Sequence, residues 1–382
     1  MGQETLTVLF VDHASGWGGA EHSLFLLLTH LDRSRIRPHL AGPEGPLLRR
    51  VRQHGLPVHP LTLPRLRKSP WALRDLIRGG WDLARLARAV GAHILYANTV
   101  RAALYTAAAA PLAARPFVWH MRDFWLSERP PRFSLPDRWG KGLLCARARR
   151  VIANSRATAA HLPCPDKITV VPNGVDFARY VPGRGGATFR RRYRIPRDVP
   201  LIGTVGRLRP WKGQDRFLRV LARVRREIPH VWGVIVGGTP LHRDDAYLEH
   251  LRAETRRLGL EGWVVFTGHL EDVRPALDAL DLLVHPGDPE PFGMAVLEAM
   301  AMATPVVAFA HGALPDIVES GTSGLLVPPG DEEALARGII ALLRDDAYRK
   351  RLARGARERA ATFTIERTAH AIGELLLSLP AR

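Results

Sequence analysis

Apolar residues run almost unbroken through LTVLFVDH at 6–13, the pattern of a strand buried on both faces. A glycine-rich turn, ASGWGGAE (14–21), and a helical stretch, HSLFLLLTHL, follow. Short apolar segments and helical segments then alternate: RPHLAG, a helix after Pro46, PVHPL, a long helix, HILYAN, a helix through 101–114, and FVWHM. Within 71–90, Leu73, Leu76, Ile77, Leu83, Leu86 and Val90 recur at helical spacing and predict one apolar face. The rhythm breaks at VVPNGVDFARYVPGRGG (170–186), whose prolines and glycines predict a linker. It restarts with VPLIGTVGRL (199–208), then VWGVIVGG, WVVFTGHL, DLLVHPG, TPVVAFA and SGLLVPPG, with helical stretches between and after them. This pattern predicts an α/β chain of two doubly wound, parallel-sheet (Rossmann-like) domains in tandem, residues 1–178 and 179–362. Open parallel sheets bind ligands outside the carboxyl ends of their strands, so two such domains are expected to face across a cleft.

Composition agrees with that size. The chain has 382 residues, 46% of them hydrophobic, enough for more than one core. Its 55 Lys and Arg against 37 Asp and Glu leave a formal charge of +18, which favours anionic partners: nucleic acid, phosphorylated substrates or an anionic membrane face. Arginines crowd GRGGATFRRRYRIPRD (183–198), a block that also reads as a solvated helix face. Cys145 and Cys164 make no C-x-x-C pair, so a disulfide framework is not expected and a reducing compartment is. MGQETLTVLFVD lacks a basic leader and does not read as a signal peptide. The apolar run AALYTAAAAPLAA (102–114) falls short of the ~20 residues a membrane span needs. A soluble, cytoplasmic protein is expected.

The chemistry concentrates in HPGDPEPFGMAVLEAM (285–300). Glu290 stands between two prolines at a strand's carboxyl end, and Phe292 and Gly293 open the next helix, whose free N–H groups suit an anion. Glu298 lies among apolar residues about two turns on, where an ionised carboxylate needs partners; a ribose diol would match it. The plainer alternative is a helix-capping Glu290 and an ion-paired Glu298. In GTVGRLRPWKGQD (203–215), Arg207 and Lys212 flank a Pro-Trp turn and suit a diphosphate; in so basic a chain they also read as solvated charges. SGWGGAEHS (15–23) only partly fits a dinucleotide fingerprint, since Glu21 replaces the third glycine. His120 falls at a strand's carboxyl end, where a lone His is more often structural than catalytic.

Together, GGAE, HMRD, VIANS, VVPNGVD, GRLRPWKG, FTGH, EPFGMAVLEAMAMATPVV and GTSGLLVPPGD resemble the retaining GT-B glycosyltransferases of family four (group 1 type), over nearly the whole chain. The resemblance implies a transferase that moves a sugar from a nucleotide diphosphate-sugar, as co-substrate, to a sugar, lipid-linked or polysaccharide acceptor, with retention and without a metal or other cofactor. It implies that Glu290 steadies the donor sugar and that His120 contacts the reacting centre. Glu298 would hold the ribose, and Arg207 and Lys212 the diphosphate. Gly18, Gly19, Phe292, Gly293 and Met294 would border the donor. Helix 363–382 would pack back on the first domain. Two departures stand near the donor pocket: Thr304, where the family often has Gly, and His311-Gly312 with Asp316, where it often has GG…E. LPRLRKSPWALRDLIRGGW (63–81) has the basic, aromatic character of membrane-associated members, so peripheral contact at an inner membrane face is open. A nucleotide-sugar epimerase would need further cleft carboxylates, which are not assignable. A non-catalytic anion- or nucleic-acid-binding scaffold predicts loss of Glu290, Glu298, Arg207 or Lys212, and all four are present.

Overall fold

The computed structural model describes residues 5–66, 71–124, 134–239 and 245–379. The chain divides into two compact units, Met1–Gly174 with Ile365–Arg382, and Val175–Thr364.

The first unit holds a seven-stranded sheet of β1 (Leu6–Val11), β2 (Ile36–Gly42), β3 (Val58–Pro60), β4 (Ile94–Ala97), β5 (Phe117–Met121), β6 (Arg150–Ala153) and β7 (Ile168–Val170). The order is β3-β2-β1-β4-β5-β6-β7 and every pairing is parallel. Between the strands run α1 (Gly19–His30), α2 (Pro46–Gln53), α3 (Trp71–Ala89), α4 (Val100–Ala113), α5 (Ser134–Arg147) and α6 (Arg156–Ala160). The unbroken apolar run of β1 is explained by two cores. Leu6, Val8 and Phe10 enter the core that contains α1 and α2, while Leu9 and Val11 enter the one that contains α3, α4 and α5. A strand covered on both faces favours apolar side chains at nearly every position; in β1 only Thr7 departs from this.

After α7 (Gly186–Arg192), the second unit repeats the plan. Its strands are β8 (Leu201–Val205), β9 (Trp232–Val236), β10 (Val264–Gly268), β11 (Leu282–His285), β12 (Val306–Phe309) and β13 (Leu325–Val327). They form a parallel sheet in the order β10-β9-β8-β11-β12-β13. Its helices are α8 (Gln214–Glu227), α9 (Asp245–Arg257), α10 (Arg274–Ala279), α11 (Met294–Ala301), α12 (Leu314–Ile317), α13 (Glu332–Arg344) and α14 (Asp346–Ala360). The doubly wound α/β class expected from the alternation is the one observed. The last helix, α15 (Ile365–Leu377), belongs to the first unit: Ile365, Ala369, Ile372 and Leu376 share a core with Leu24, Leu27 and Leu28 of α1.

Three expectations need revision or refinement. The cysteines are not free: Cys145 and Cys164 form a disulfide with Cα atoms 5.9 Å apart. A separation of 19 residues carries no motif. Tertiary packing brings them together, because Lys167 Nζ donates to the carbonyls of Cys145, Ala146 and Ala148 and ties the β6–β7 connection to the end of α5. The expected face of α3 is also split. Its buried side is Gly79, Gly80, Leu83, Ala84 and Ala87, whereas Leu73 and Ile77 are exposed. The arginine-rich block has a structural member: Arg190 binds the Asp281 carboxylate and the carbonyls of Ala279, Pro196 and Val199. Residues 67–70 of the basic stretch, 1–4 of the N-terminus and 380–382 lie outside the described residues. No helix among the described residues is long and apolar enough to cross a membrane.

Ile372→Ala is expected to destabilise the first unit by about 2–4 kcal/mol through lost burial and a cavity. Glu374→Ala, on the same helix as Ile372 and removing only an exposed pair with Arg35, is expected to cost under about 1 kcal/mol. Urea unfolding of both variants checks the contrast.

Candidate active site

β11 ends at His285, and Pro286 to Pro291 turn the chain toward α11. Glu290 sits in this elbow and is only 5% exposed. Its Oε2 accepts from Lys212 Nζ at 2.5 Å and from His285 Nε2 at 3.0 Å. Oε1 has no hydrogen bond to a described residue. Burial alone pushes this carboxyl up, but the Lys212 charge and the His285 hydrogen bond outweigh it and hold Glu290 well below the usual carboxylate range. Glu290 is therefore ionised and can only accept, so the His285 Nε2 must carry the proton.

Backbone contacts hold the elbow. The Ala313 N–H donates to the Glu290 carbonyl at 3.0 Å. Gly312 has φ +58°, and a Cβ there would lie 2.0 Å from that carbonyl oxygen, so only glycine fits. His311 Nε2 lies 3.1 Å from the Asp288 carboxylate. The His311-Gly312 departure thus forms part of the wall around Glu290. The other departure, Thr304, donates its hydroxyl to the Leu277 carbonyl at 2.9 Å.

α11 begins at Met294 with Gly293 as its N-cap, and no side chain caps it. The Val296 amide donates to the Gly293 carbonyl, which leaves the Met294 and Ala295 amides available to an anion. Phe292 instead joins the core beside Val296 and Leu297, and Met294 is half-buried. Glu298 is buried on α11 and accepts a hydrogen bond from the Tyr180 hydroxyl. Burial and the neighbouring Glu298 raise the Tyr180 pKa, which keeps that hydroxyl a donor. Lys212 lies over the Trp211 ring, 4.4 Å from its centroid. Arg207 is exposed, and its guanidinium makes no hydrogen bond or ion pair to a described residue. The second unit thus gathers Glu290 and Lys212 around His285, with the uncapped α11 following the same loop.

The first unit holds the other expected residues. Gly18 is the N-cap of α1 and Gly19 its first residue, again without a side-chain cap. His120, expected to touch the reacting centre, has no exposed surface. Burial, then the charge of Arg122, pulls its pKa well down, so the ring is neutral. The Tyr96 hydroxyl donates to its Nδ1, and its Nε2 has no partner. The first unit thus encloses His120 near the carboxyl end of β5, with its Nε2 buried and unpartnered.

Sequence reading passed over a buried network at these strand ends. Arg122 donates to Asn98 Oδ1 at 2.5 Å and Asn173 Oδ1 at 2.7 Å. Asn98 donates to Asp12, and Asn154 donates to the Arg122 carbonyl. The motifs HMRD, VIANS and VVPNGVD were visible, but only the fold shows that their polar residues bind one another. His285 and Tyr180 were also missed. The signal available for His285 was its place as the last residue of an otherwise apolar strand.

Lys212→Ala leaves a buried carboxylate with one neutral donor. Breaking such a pair costs about 3–5 kcal/mol. Because the folded pKa of Glu290 is depressed, its contribution is present above the unfolded value of about 4.3 and lost as pH falls below it. The deficit of Lys212→Ala should therefore be largest at neutral pH, shrink toward pH 4, and be largely relieved in Lys212→Ala/Glu290→Gln. Urea titrations across pH measure all three.

Comparison with known proteins adds family information to this geometry. The family described as "Glycosyl transferases group 1" matches residues 187–359, and "Glycosyltransferase Family 4" matches 17–179. The chain is 39% identical over 215 residues to the D-inositol 3-phosphate glycosyltransferase of Stackebrandtia nassauensis, covering 54% of this chain and 47% of that one. It is 33% identical over 237 residues to the lipopolysaccharide core biosynthesis mannosyltransferase LpcC of Rhizobium leguminosarum, covering 62% and 66%. The matched region spans about half the length of the D-inositol 3-phosphate glycosyltransferases. Among solved structures, Anabaena HepE in complex with UDP and glucose superposes with a TM-score of 0.86 at 29% identity, over 98% of this chain and 100% of that one.

Proposed function

The chain belongs to the group 1, family 4 glycosyltransferases, and from that premise we propose that it moves a sugar from a nucleoside diphosphate-sugar to a hydroxyl acceptor with retention of configuration. The observation that carries this reading is Glu290: a buried, ionised carboxylate whose Oε2 is occupied and whose Oε1 is left for a ligand. Oε1 would accept from a donor-sugar hydroxyl. Its charge would oppose the positive charge that grows at the anomeric carbon as the glycosidic bond breaks. The departing nucleoside diphosphate gathers negative charge. Lys212, Arg207 and the open amides of α11 are the groups that would neutralise it, so no divalent metal is needed. Glu298, exchanging its Tyr180 bond, would take the ribose diol. Gly18 and Gly19 offer the first-turn amides of α1 to the donor phosphates or the acceptor. HepE crystallised with UDP-glucose makes a UDP-sugar the first donor to try. The proposed acceptor is a sugar, lipid-linked or polysaccharide one; it is supported by the name of one relative, a lipopolysaccharide core mannosyltransferase, while the D-inositol 3-phosphate glycosyltransferases make a phosphorylated cyclitol a second acceptor to try.

Incubation of the protein with UDP-glucose should release UDP, and release should persist in excess EDTA. Glu290→Gln should lower kcat by about 10²–10³-fold, the scale for loss of one charge-stabilising group, while UDP affinity by calorimetry stays within a few-fold. Activity lost to EDTA and restored by Mn²⁺ would turn Asp288 and Glu290 into metal ligands instead. The anomeric proton signal of the product reads retention.

An acceptor carried by a lipid fits a second feature. Among the described residues, Trp71, Leu73, Ile77 and Trp81 on α3, Leu112 on α4, and Trp139 and Leu143 on α5 make up all but one of the exposed large apolar side chains. Arg74 and Arg78 border the same face of α3. Apolar insertion with flanking cations suits an anionic leaflet. Ile77→Asp/Trp81→Ala should reduce co-flotation with phosphatidylglycerol vesicles and leave UDP release in solution unchanged. Equal flotation of both proteins counts against the membrane reading.

A further inference from the structure

His285 is 4% exposed and closes β11 against the elbow that carries Glu290. Its ring is closely fitted: a Cβ on Gly287 would lie 2.9 Å from the imidazole Cε1. Nε2 is spent on Glu290 Oε2, and Nδ1 is buried without a partner. Lys212, the second donor to that same oxygen, is partly exposed and sits on a short 3₁₀ turn, Pro210–Lys212. The two donors therefore differ in freedom. One ends a sheet strand and is enclosed; the other is a flexible ammonium at the edge of the site. If Lys212 serves a ligand's diphosphate, as the proposed function holds, its charge is drawn away from Glu290 when that ligand arrives. A carboxylate this deeply buried then needs another donor to stay ionised and in place.

We propose that His285 is a positioning residue for glycosyl transfer: its Nε2–H anchors Glu290 Oε2 while Lys212 turns to the diphosphate, so that Oε1 keeps its charge and its aim at the sugar. This rests on the nucleotide-sugar reading of the site. The charged or titratable groups around the carboxylate are Lys212 on the 3₁₀ turn, His285 on β11, and the Asp288–His311 pair of the two adjoining loops. Asp288 and His311 pair with each other at 3.1 Å, which leaves His285 as the remaining donor once Lys212 is engaged. Lys212 and His285 thus have separable duties. Loss of Lys212 affects nucleotide binding; loss of His285 affects the chemical step.

The test compares wild type with His285→Phe, which keeps a planar ring but donates nothing, and with His285→Gln and His285→Asn, whose amides donate with longer and shorter reach. UDP affinity by calorimetry should stay within about twofold in all of them. kcat for UDP-glucose should fall about 10–100-fold in His285→Phe and His285→Asn and recover to within about fivefold of wild type in His285→Gln. The acid limb of the kcat profile should move to higher pH in His285→Phe, because a carboxylate that loses a donor is easier to protonate. An infrared difference spectrum, UDP-bound minus free at mildly acidic pH, should show a protonated carboxyl band in His285→Phe that is absent in wild type and in Glu290→Gln/His285→Phe. If His285→Phe does not fold, the contrast of Gln with Asn decides the matter. An unchanged kcat and acid limb in the variants, or UDP affinity falling in step with kcat, overturns the role of His285. A wild-type protein that neither binds UDP nor turns over UDP-glucose instead removes the nucleotide-sugar reading, and this inference with it.

Discussion

A carboxylate taken out of water must be neutralised where it lies, and the second unit is arranged around that requirement at Glu290. Removing one partner of a buried ion pair costs several kcal/mol, so Lys212 and His285 cannot be independent of the elbow they serve. β11 must end at His285 to place Nε2 3.0 Å from Oε2. The 3₁₀ turn after β8 must bring Lys212 to the same atom. The loop after β12 must pass close enough for Ala313 to bond the Glu290 carbonyl, which admits only glycine at 312. Three strand ends are thus tied to one oxygen atom and one carbonyl.

The first unit meets a comparable requirement with a different solution. Asp12 and Arg122 are both buried, but they are joined through Asn98 rather than by direct contact. Burial pushes the Asp12 carboxyl up despite donors from the Ala14 amide, Asn98 and the His13 amide and the charge of Arg122. Such a network fixes geometry at the ends of β1, β4 and β5. Both oxygens of its carboxylate, Asp12, are occupied, unlike those of Glu290, while the Asn154 amide oxygen is buried without a partner.

Two parallel sheets explain why polar residues appear at strand ends at all. Along β1, alternate side chains feed separate cores, so the strand interior is almost wholly apolar. Charge and exchange with a ligand are therefore favoured in the loops after the strands and in the first turns of the following helices. α1 and α11 both begin at glycine N-caps without a capping side chain, so no side chain competes with a ligand for their leading amides.

The fold class was readable because burial on both faces writes itself directly into unbroken apolar runs separated by helical periods. Glu290, Lys212 and Glu298 stood out for a similarly local reason, since a charge among prolines or apolar residues is visible without knowing its neighbours. Partners could not be read that way. Periodicity placed Leu73 and Ile77 on a common stripe, but the choice of Gly79, Gly80 and Leu83 as the packed side of α3 depends on what lies beside it. Cys145 and Cys164 showed no motif because the Lys167 contacts that bring their chain segments together form only on folding. His120 and His285 both lie at or beside the end of an apolar strand, though only His120 was singled out from sequence. Tertiary structure separated them, enclosing His120 with Tyr96 and setting His285 against a carboxylate, because a side chain's chemistry is fixed by the donor or acceptor that folding puts within 3 Å of it.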